Sequence, residues 1–276
     1  MCEAEIWLQH GSFVVDGNAY FFTAADVVHR LESSSGKKAI VVGVGYPITD
    51  NVYDPRRSAD LTPPTKDQEH RHPIGRDGQP MKDITLGEAQ GFLEVLADTV
   101  MPLVEEMFPT LPLKHWPKAL FGHSYGGLFT LFSLFTKTDL FSMYIAASPS
   151  IWFNDCSIVH EQEKAFLRGT RRFSDPEVIS SWEESAVSNP RLFMMFGSLE
   201  QDAVQKPGES DEDFERRKQG ALERRMRDNA LEMGARLQAS ERLSQVWLWE
   251  FEGEDHGGAS VCGLQRGIVK LLEASD

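Results

Sequence analysis

Cysteine is scarce in this chain, and its three cysteines lie far apart. Cys2, Cys156 and Cys262 share none of the short spacings from which zinc sites are built. Small secreted proteins that depend on disulfides carry many more cysteines for their length. The sequence therefore predicts a protein of a reducing compartment, and we expect a cytoplasmic location.

Basic residues are also few in comparison with acidic ones. The chain has 28 lysines and arginines against 42 aspartates and glutamates, which gives a net charge of −14 at pH 7. Nucleic acids are bound chiefly through a positively charged surface that neutralises phosphates. The composition therefore predicts no nucleic-acid partner.

Long apolar runs, repeats and linkers are missing too. No run approaches the roughly 18 apolar residues that a membrane span requires, and the N-terminus lacks the basic and apolar regions of a signal peptide, so we expect no membrane partner. Because nothing divides the chain, we predict a single α/β domain over residues 1–276. Leu61–Asp83 is a candidate lid loop, and residues 205–241 form a charged insertion with one long scaffold helix from Glu212 to Glu241.

The most informative motif is a G-x-S-x-G sequence between a strand and a helix, Gly122-His123-Ser124-Tyr125-Gly126. Ala119-Leu120-Phe121 is typical of a strand that leads into it, and the apolar residues 127–135 are typical of a buried helix that follows. A serine on such a sharp turn sits in strained backbone, so the positions two before and two after it must lack bulk. This context predicts Ser124 as a nucleophile.

Such a serine needs an acid and then a histidine downstream, each just after a strand. Arg191–Phe196 is typical of a strand, and the turn after it contains Glu200, which we predict to be the acid. Asp202 in the same turn is the second choice. Asp155, which follows the earlier strand Met143–Ala147, is the third.

The histidine that fits this order is His256. It lies in the polar, glycine-rich loop after Gln245–Phe251, which is predicted to be the last strand. The order Ser124, Glu200, His256 predicts an α/β-hydrolase fold with a mostly parallel central sheet flanked by helices. It also predicts acyl-enzyme chemistry on an ester, in which the histidine takes the serine proton and the carboxylate fixes the imidazole tautomer.

A metal site is the competing interpretation of two other histidines. His70 and His72 lie close together, but their stretch is hydrophilic, flanked by prolines and without a third anchored ligand. We therefore predict no metal, and the proposed chemistry needs no organic cofactor.

The oxyanion hole of this fold needs two backbone N–H donors. The first is predicted to be that of Tyr125, the residue after the serine. The second is predicted to be that of Asn18, in the Asp16-Gly17-Asn18 turn after the strand that ends at Val15. The alternative for this turn is an ordinary helix cap, in which the side chain of Asp16 or Asn18 accepts from free amides.

Five separated motifs resemble the esterase-D-like esterases and, within that group, the siderophore esterases of bacteria and fungi. They are Asp16–Phe21, Val42–Pro47, Arg56–Pro63, Gly122–Gly127 and Ala147–Trp152. The resemblance implies hydrolysis of ester bonds in an oligomeric, often macrocyclic siderophore, with release of iron inside the cell. The substrate-binding residues that it implies, around the mouth of the pocket, are Tyr46, Arg56, Arg57 and Trp152.

The chemistry of these residue types suits such a ligand. Arginines can hold hydroxamate or carboxylate oxygens, and an indole can pack on the ligand. The alternatives are a strand tyrosine, loop ion pairs with Asp54 or Asp60, and a core aromatic. From the net charge of −14 we expect the substrate to be a neutral hydroxamate siderophore rather than an anionic catecholate complex.

The N-terminus departs from this family's pattern. Its members have two or more strands before the one that ends in the Asp-Gly-Asn turn, whereas here only Met1–Gly11 precedes that strand. We therefore expect the N-terminal strands to be shortened or missing, with Ile6-Trp7-Leu8 as a short substitute. A bared sheet edge would favour association, although the oligomeric state does not follow from the sequence.

Two other functions fit the same pattern. One is a general carboxylesterase or thioesterase of the S-formylglutathione hydrolase type, which would act on small acyl esters and not on a siderophore. The other is a catalytically silent protein that kept the fold for binding.

Overall fold

The computed structural model describes residues 8–47, 51–65, 80–81, 83–169 and 189–273. Its strands are β1 (Leu8–Val15), β2 (Lys38–Val44), β3 (Lys118–His123), β4 (Met143–Ala147), β5 (Arg191–Gly197) and β6 (Gln245–Phe251). They form one sheet in the order β2-β1-β3-β4-β5-β6, and every neighbouring pair is parallel. The predicted fold class is confirmed.

Helices follow most of the strands, as parallel connections require. They are α1 (Gly17–Ser35), α2 (Arg57–Asp60), α3 (Ala89–Val95), α4 (Met101–Met107), α5 (Tyr125–Thr136), α6 (Phe153–Ile158), α7 (Lys164–Leu167), α8 (Asp211–Arg224), α9 (Met226–Ala239) and α10 (His256–Glu273). Leu96–Val100 and Val159–Glu163 are π-helical, and Leu113–His115 and Ser198–Glu200 are 3₁₀ turns.

The sheet is buried on both faces because its side chains alternate between two apolar clusters. In β1, Phe13 and Val15 pack into one cluster and Val14 into the other. The first cluster also contains side chains of α3, α5 and α9, and the second contains side chains of α1 and α10. With helices on both faces, the carboxyl ends of the strands form the open edge at which a site can be built.

The strand predictions agree closely with the structure. Met143–Ala147 and Gln245–Phe251 have the predicted bounds, and β5 extends the predicted strand by one residue. Of the predicted substitute strand, Ile6 and Trp7 lie outside the described residues, and Leu8 is the first residue of β1, which ends at Val15. In the part of the chain that the structure describes, β2 forms one edge of the sheet.

The charged insertion contains two helices instead of the predicted single one. Arg225 adopts a left-handed conformation, with φ 47°, between α8 and α9. Most of the candidate lid, residues 66–79 and 82, lies outside the described residues. None of the described helices has the length and apolar character that crossing a bilayer demands.

Candidate active site

Ser124 lies at the sharp turn between β3 and α5. Its backbone has φ 60° and ψ −116°, an unfavourable conformation for a residue with a side chain. The turn is so tight that a Cβ on Gly122 would lie 2.1 Å from the carbonyl oxygen of Gly126. The two glycines of the motif are therefore explained by space, and the turn holds Ser124 at the carboxyl end of the sheet.

Glu200 and His256 meet at the same end of the sheet, beyond the neighbouring strands β5 and β6. Glu200 Oε2 lies 2.6 Å from His256 Nδ1. The other carboxylate oxygen accepts hydrogen bonds from the Gly197 N–H at 2.7 Å and from the Ser148 hydroxyl at 2.5 Å. The Glu200 side chain is 1% exposed and that of His256 is 46% exposed, so a buried carboxylate orients a ring that solvent and ligands can reach.

The two alternative acids lie elsewhere. Asp202 is an exposed side chain that forms an ion pair with Arg227. Asp155 lies in a left-handed stretch of α6, with φ 53°. Of the three candidates, the structure brings only Glu200 into hydrogen-bond contact with the histidine.

No hydrogen bond joins Ser124 to His256 in the described residues. The Ser124 hydroxyl lies 3.4 Å from that of Ser150, while the ring of His123, the preceding residue, lies 4.4 Å from the His256 ring. In unliganded enzymes the bond between nucleophile and base is often long and forms when substrate binds. Since the Nδ1 side of His256 faces Glu200, its Nε2 is left to accept the serine proton.

His123 holds the loop of His256 through a connection that the sequence analysis did not find. Its Nε2 lies 2.9 Å from the His256 carbonyl oxygen, and its Nδ1 lies 2.9 Å from the Tyr20 hydroxyl, which in turn lies 2.6 Å from that of Tyr53. Burial lowers the pKa of His123 well below its ordinary value, and His256 adds to the effect, so the ring is neutral.

The direction of this chain of hydrogen bonds follows from its chemistry. A carbonyl oxygen only accepts, so His123 Nε2 carries the proton and donates it to His256. In a neutral ring Nδ1 must then accept, and Tyr20 donates to it. Tyr53 donates to Tyr20 in its turn. Because Tyr53 and Tyr20 precede His123 by 70 and 103 residues, the connection can be seen only in the folded structure.

The two backbone N–H groups predicted for the oxyanion hole lie at the starts of helices. Tyr125 is the first residue of α5 and Asn18 the second residue of α1, so neither N–H has an acceptor within its helix. The Asn18 side chain does not cap the helix but holds both backbone groups of Tyr46, at 2.9 and 2.7 Å. Asp16 also makes no side-chain cap.

Asp16 instead forms a buried ion pair with Arg57. Arg57 Nε and Nη2 each donate to one carboxylate oxygen at 2.8 Å, and the side chains are 14% and 1% exposed. Since guanidinium has five N–H donors, three remain for a ligand. Arg57 also lies over the ring of Tyr125, 5.5 Å from its centroid, which places it beside the candidate nucleophile.

The other predicted substrate-binding residues have partners of their own. Arg56 forms a two-bond ion pair with Asp54, as in the loop alternative. Tyr46 donates to Asp60 at 2.8 Å, and burial together with this bond raises its pKa. Trp152 lies 6.5 Å from the Tyr125 ring, so it is near the serine.

Metal-binding groups are not found in the described part of the chain. No three histidine, cysteine, aspartate or glutamate side chains of these residues are grouped as a metal ion requires. His70 and His72 lie outside the described residues. The described cysteines, Cys156 and Cys262, are free.

A parallel sheet covered on both faces, with a serine at a strained strand-to-helix turn and a carboxylate–histidine pair after the last two strands, defines the class of serine hydrolases with the α/β-hydrolase fold. A family model confirms the class and narrows it. The chain belongs to the family described as "Putative esterase", whose model matches residues 4–231.

Individual relatives are similar over most of their length. The chain is 44% identical to the siderophore enterobactin esterase of Emericella nidulans over 266 residues, which is 95% of this chain and 82% of the relative. It is 38% identical to the siderophore triacetylfusarinine C esterase of Aspergillus fumigatus, over 95% of this chain and 80% of that one.

A solved structure agrees with the fold. The siderophore hydrolase EstA from Aspergillus nidulans has a TM-score of 0.87 and 41% identity, and the match covers 99% of this chain and 85% of that chain. Together with the family, these relatives make the protein a carboxylic ester hydrolase.

Proposed function

We propose that this protein hydrolyses ester bonds of a siderophore, with Ser124 as nucleophile, His256 as general base and Glu200 as the acid that orients the base. The observation that carries the mechanism is the 2.6 Å contact between Glu200 and His256 beside the strained turn of Ser124. The substrate class is supported by the likeness to esterases named for enterobactin and triacetylfusarinine C.

Acylation begins when His256 Nε2 takes the proton of the Ser124 hydroxyl as the oxygen attacks the ester carbonyl. The imidazolium that forms is stabilised by the Glu200 carboxylate at Nδ1. The negative oxygen of the tetrahedral intermediate is held by the N–H groups of Tyr125 and Asn18. One such donor is typically worth about 3 to 4 kcal/mol in the transition state.

Deacylation uses the same groups in a second round. His256 first gives its proton to the leaving alcohol, and then takes a proton from a water molecule that attacks the acyl-enzyme. The acid product leaves, and Ser124 recovers its proton. Each step balances with water as the only co-reactant, so the reaction draws on no cofactor.

Substrate binding is assigned to the side chains around Tyr125. Arg57 and Trp152 both contact its ring, and Arg57 keeps donors that Asp16 does not use. Arg56 and Tyr46 lie farther along the same loop, where Arg56 covers the Tyr46 ring at 5.2 Å. We therefore expect Arg57 and Trp152 to affect binding more than Arg56 and Tyr46. The cytoplasmic location stays a prediction from the cysteine content.

The test is a comparison of ester substrates with and without the nucleophile. The purified protein is incubated with enterobactin and triacetylfusarinine C, each iron-loaded and iron-free, and with a small acyl ester such as 4-nitrophenyl acetate. Products are followed by mass. We expect cleavage of at least one siderophore and its loss in Ser124→Ala.

The control is Ser142→Ala, because Ser142 binds the Lys118 carbonyl at the other end of the sheet. Unchanged turnover in Ser124→Ala would exclude Ser124 as nucleophile. Activity on the small ester alone would contradict the siderophore substrate and indicate a general esterase.

A further inference from the structure

Three aromatic rings and two guanidinium groups form a continuous series of contacts beside the candidate nucleophile. Arg57 lies over Tyr53 and Tyr125, at 5.2 and 5.5 Å from the ring centroids, and Tyr125 lies 6.5 Å from Trp152. Arg224 covers Trp152 at 5.5 Å. We call these five residues the cation–aromatic row. Its centre, Tyr125, directly follows Ser124 in the chain.

The two arginines of the row differ in what balances their charge. Arg57 is held by both oxygens of the buried Asp16. The Arg224 guanidinium has no ion pair or side-chain hydrogen bond in the described ranges, and it lies over the Trp152 ring. It is the last residue of α8, and its side chain is exposed.

Among the described residues Arg224 lacks an ion-pair partner, as Arg266 does, but it lies in the row beside the candidate nucleophile. The protein has a net charge of −14, and the arginines next to Arg224 in sequence are paired, Arg225 with Glu232 and Arg227 with Asp202. A guanidinium over an indole face is held in place by the ring while its N–H edge stays available. This arrangement leaves the N–H groups of Arg224 available to bind an anionic oxygen.

We propose that Arg224, positioned by Trp152, is a specificity residue that binds an anionic oxygen on the part of the substrate remote from the ester being cleaved. This inference rests on the proposed function and refines its substrate class. The charges of both Arg224 and Arg57 act on Tyr125, where they oppose the rise in pKa that burial causes. The row is positive beside Ser124 because it carries two guanidinium groups against the one carboxylate of Asp16, although the whole protein is strongly negative.

The local charge leads to a different expectation from the net charge. A ferric catecholate complex is negative, since each catecholate brings two negative charges to Fe³⁺, whereas a ferric trishydroxamate is neutral. A residue that binds an anionic oxygen improves binding of the first more than of the second. We therefore expect Arg224 to favour the catecholate complex, in contrast to the hydroxamate predicted from composition.

The test compares Arg224→Gln and Arg224→Lys with a matched control, Arg266→Gln. Arg266 lies over Trp249 at 5.1 Å, so its substitution removes the same kind of contact from another part of the molecule, on α10. Kinetic constants are measured with ferric enterobactin and ferric triacetylfusarinine C at low and high salt. Binding to the same variants in a Ser124→Ala background is measured by quenching of tryptophan fluorescence.

We expect Arg224→Gln to raise KM for ferric enterobactin about five- to tenfold at low salt, with little change in kcat. The effect should shrink at high salt and be nearly absent for ferric triacetylfusarinine C, because a neutral ligand offers no charge. Arg224→Lys should fall between, and Arg266→Gln should match the wild type.

Two results would overturn the proposal separately from the function. Equal KM values for wild type and Arg224→Gln with the negative complex would show that Arg224 does not bind it. An equal rise in KM with both complexes would show that Arg224 acts in folding or packing rather than by binding the charge of the ligand. Absence of turnover with both siderophores in the wild type would contradict the proposed function instead, and the binding measurement would then decide on Arg224 alone.

Discussion

At the scale of single residues, hydrogen-bond donors fix the orientation of the Glu200 carboxylate toward His256. Oε1 accepts from Gly197 and Ser148, so Oε2 is the oxygen directed at the ring. A carboxylate held this way fixes which imidazole nitrogen carries the proton.

The substitution Glu200→Gln should keep the side chain in this orientation but reverse the direction of its hydrogen bond with His256. Its amide oxygen would take the two donors, which places the NH₂ group opposite His256 Nδ1 and forces that nitrogen to accept. The ring then has the wrong tautomer to take the serine proton. We expect kcat to fall about a hundredfold or more, as in other triads with this change, with little change in KM.

Asp202→Asn is the control for this prediction. Asp202 is exposed and paired with Arg227, so its loss should leave kcat within experimental error of the wild type. The assignment of the acid would be wrong if Asp202→Asn lost activity and Glu200→Gln kept it.

His123 offers a second test, because it acts on the reaction only through His256. His123→Gln keeps an N–H near the position of Nε2 and can still donate to the His256 carbonyl, whereas His123→Phe leaves that carbonyl without its donor. We expect kcat to fall about tenfold in the Phe variant and clearly less in the Gln variant, with similar KM values.

A purely structural role for His123 would give another outcome. Both variants would then lose activity in proportion to their loss of unfolding free energy, measured in urea, and the pH profile of kcat would keep its shape. A shift of that profile in the Phe variant, with rescue by Gln, supports positioning of the base.

The residues that could be predicted from sequence are those whose role follows from chain order. Ser124 lies in a motif whose glycines are required by the tight turn. Glu200 and His256 come after strands in the order that the fold requires. The roles of His123 and Arg224 depend on contacts with Tyr20 and Trp152, which are 103 and 72 residues away in sequence. Neither the hydrophobic pattern of the sequence nor the spacing of its motifs predicts such contacts.

At the scale of elements, the break between α8 and α9 shows where helix patterning fails. Most of the charged and apolar residues from Glu212 onward are good helix formers, so they predict one helix. The turn at Arg225 is nonetheless left-handed, and α9 then packs Ala230, Met233 and Leu237 against the core. Tertiary burial of α9 outweighs the local preference of one arginine.

The left-handed conformation of Arg225 has a measurable cost. A residue with a Cβ is disfavoured there, whereas glycine is not. We expect Arg225→Gly to be more stable than Arg225→Ala by about 1 kcal/mol in urea unfolding. Both variants lose the same exposed ion pair with Glu232. The difference between their unfolding free energies therefore reports the cost of the left-handed backbone conformation. Equal stability, or a more stable Ala variant, would contradict strain at this position.

The interruption between α3 and α4 has a cause that can be seen in the sequence. The pattern predicts one helix from Thr85 to Met107, but the structure begins it at Ala89 and makes Leu96–Val100 π-helical. Pro102 lies in the first turn of α4 and has no N–H to donate to the preceding turn. A π-helical turn accommodates this loss without ending the helix.

At the scale of the whole molecule, the sheet was the most predictable part because its strands are buried on both faces. In β4 and β5 nearly every residue is apolar, which is the pattern of a parallel sheet between helices. The parallel arrangement of the strands followed from the fold implied by the motif, whereas their order in the sheet came from the structure, since periodicity alone does not specify neighbours. Net charge was the least informative property for the site, because it averages over a surface on which Arg57 and Arg224 lie close together.

The stability of the whole molecule should depend on pH through its buried histidines. His10 is buried in β1, and burial, with the charges of Arg191 and Lys37, lowers its pKa to about 4 from an ordinary 6.5. The pKa of His123 is lowered as well. Above the ordinary pKa both states are neutral and stability is full. As the pH falls toward the folded pKa, the unfolded chain binds the proton and the folded chain does not, so stability is lost.

We therefore expect the contribution of His10 to lower the unfolding free energy by up to about 1.4 kcal/mol per pH unit between about pH 6.5 and 4. Urea unfolding of His10→Leu tests this through the slope with pH rather than through absolute stability, which the substitution itself changes. In His10→Leu, the slope of the unfolding free energy against pH should be smaller by the contribution of one titrating group, because leucine cannot bind a proton. A slope equal to that of the wild type would mean that His10 is protonated as readily in the folded protein as in the unfolded chain, and that burial in β1 does not hold it neutral.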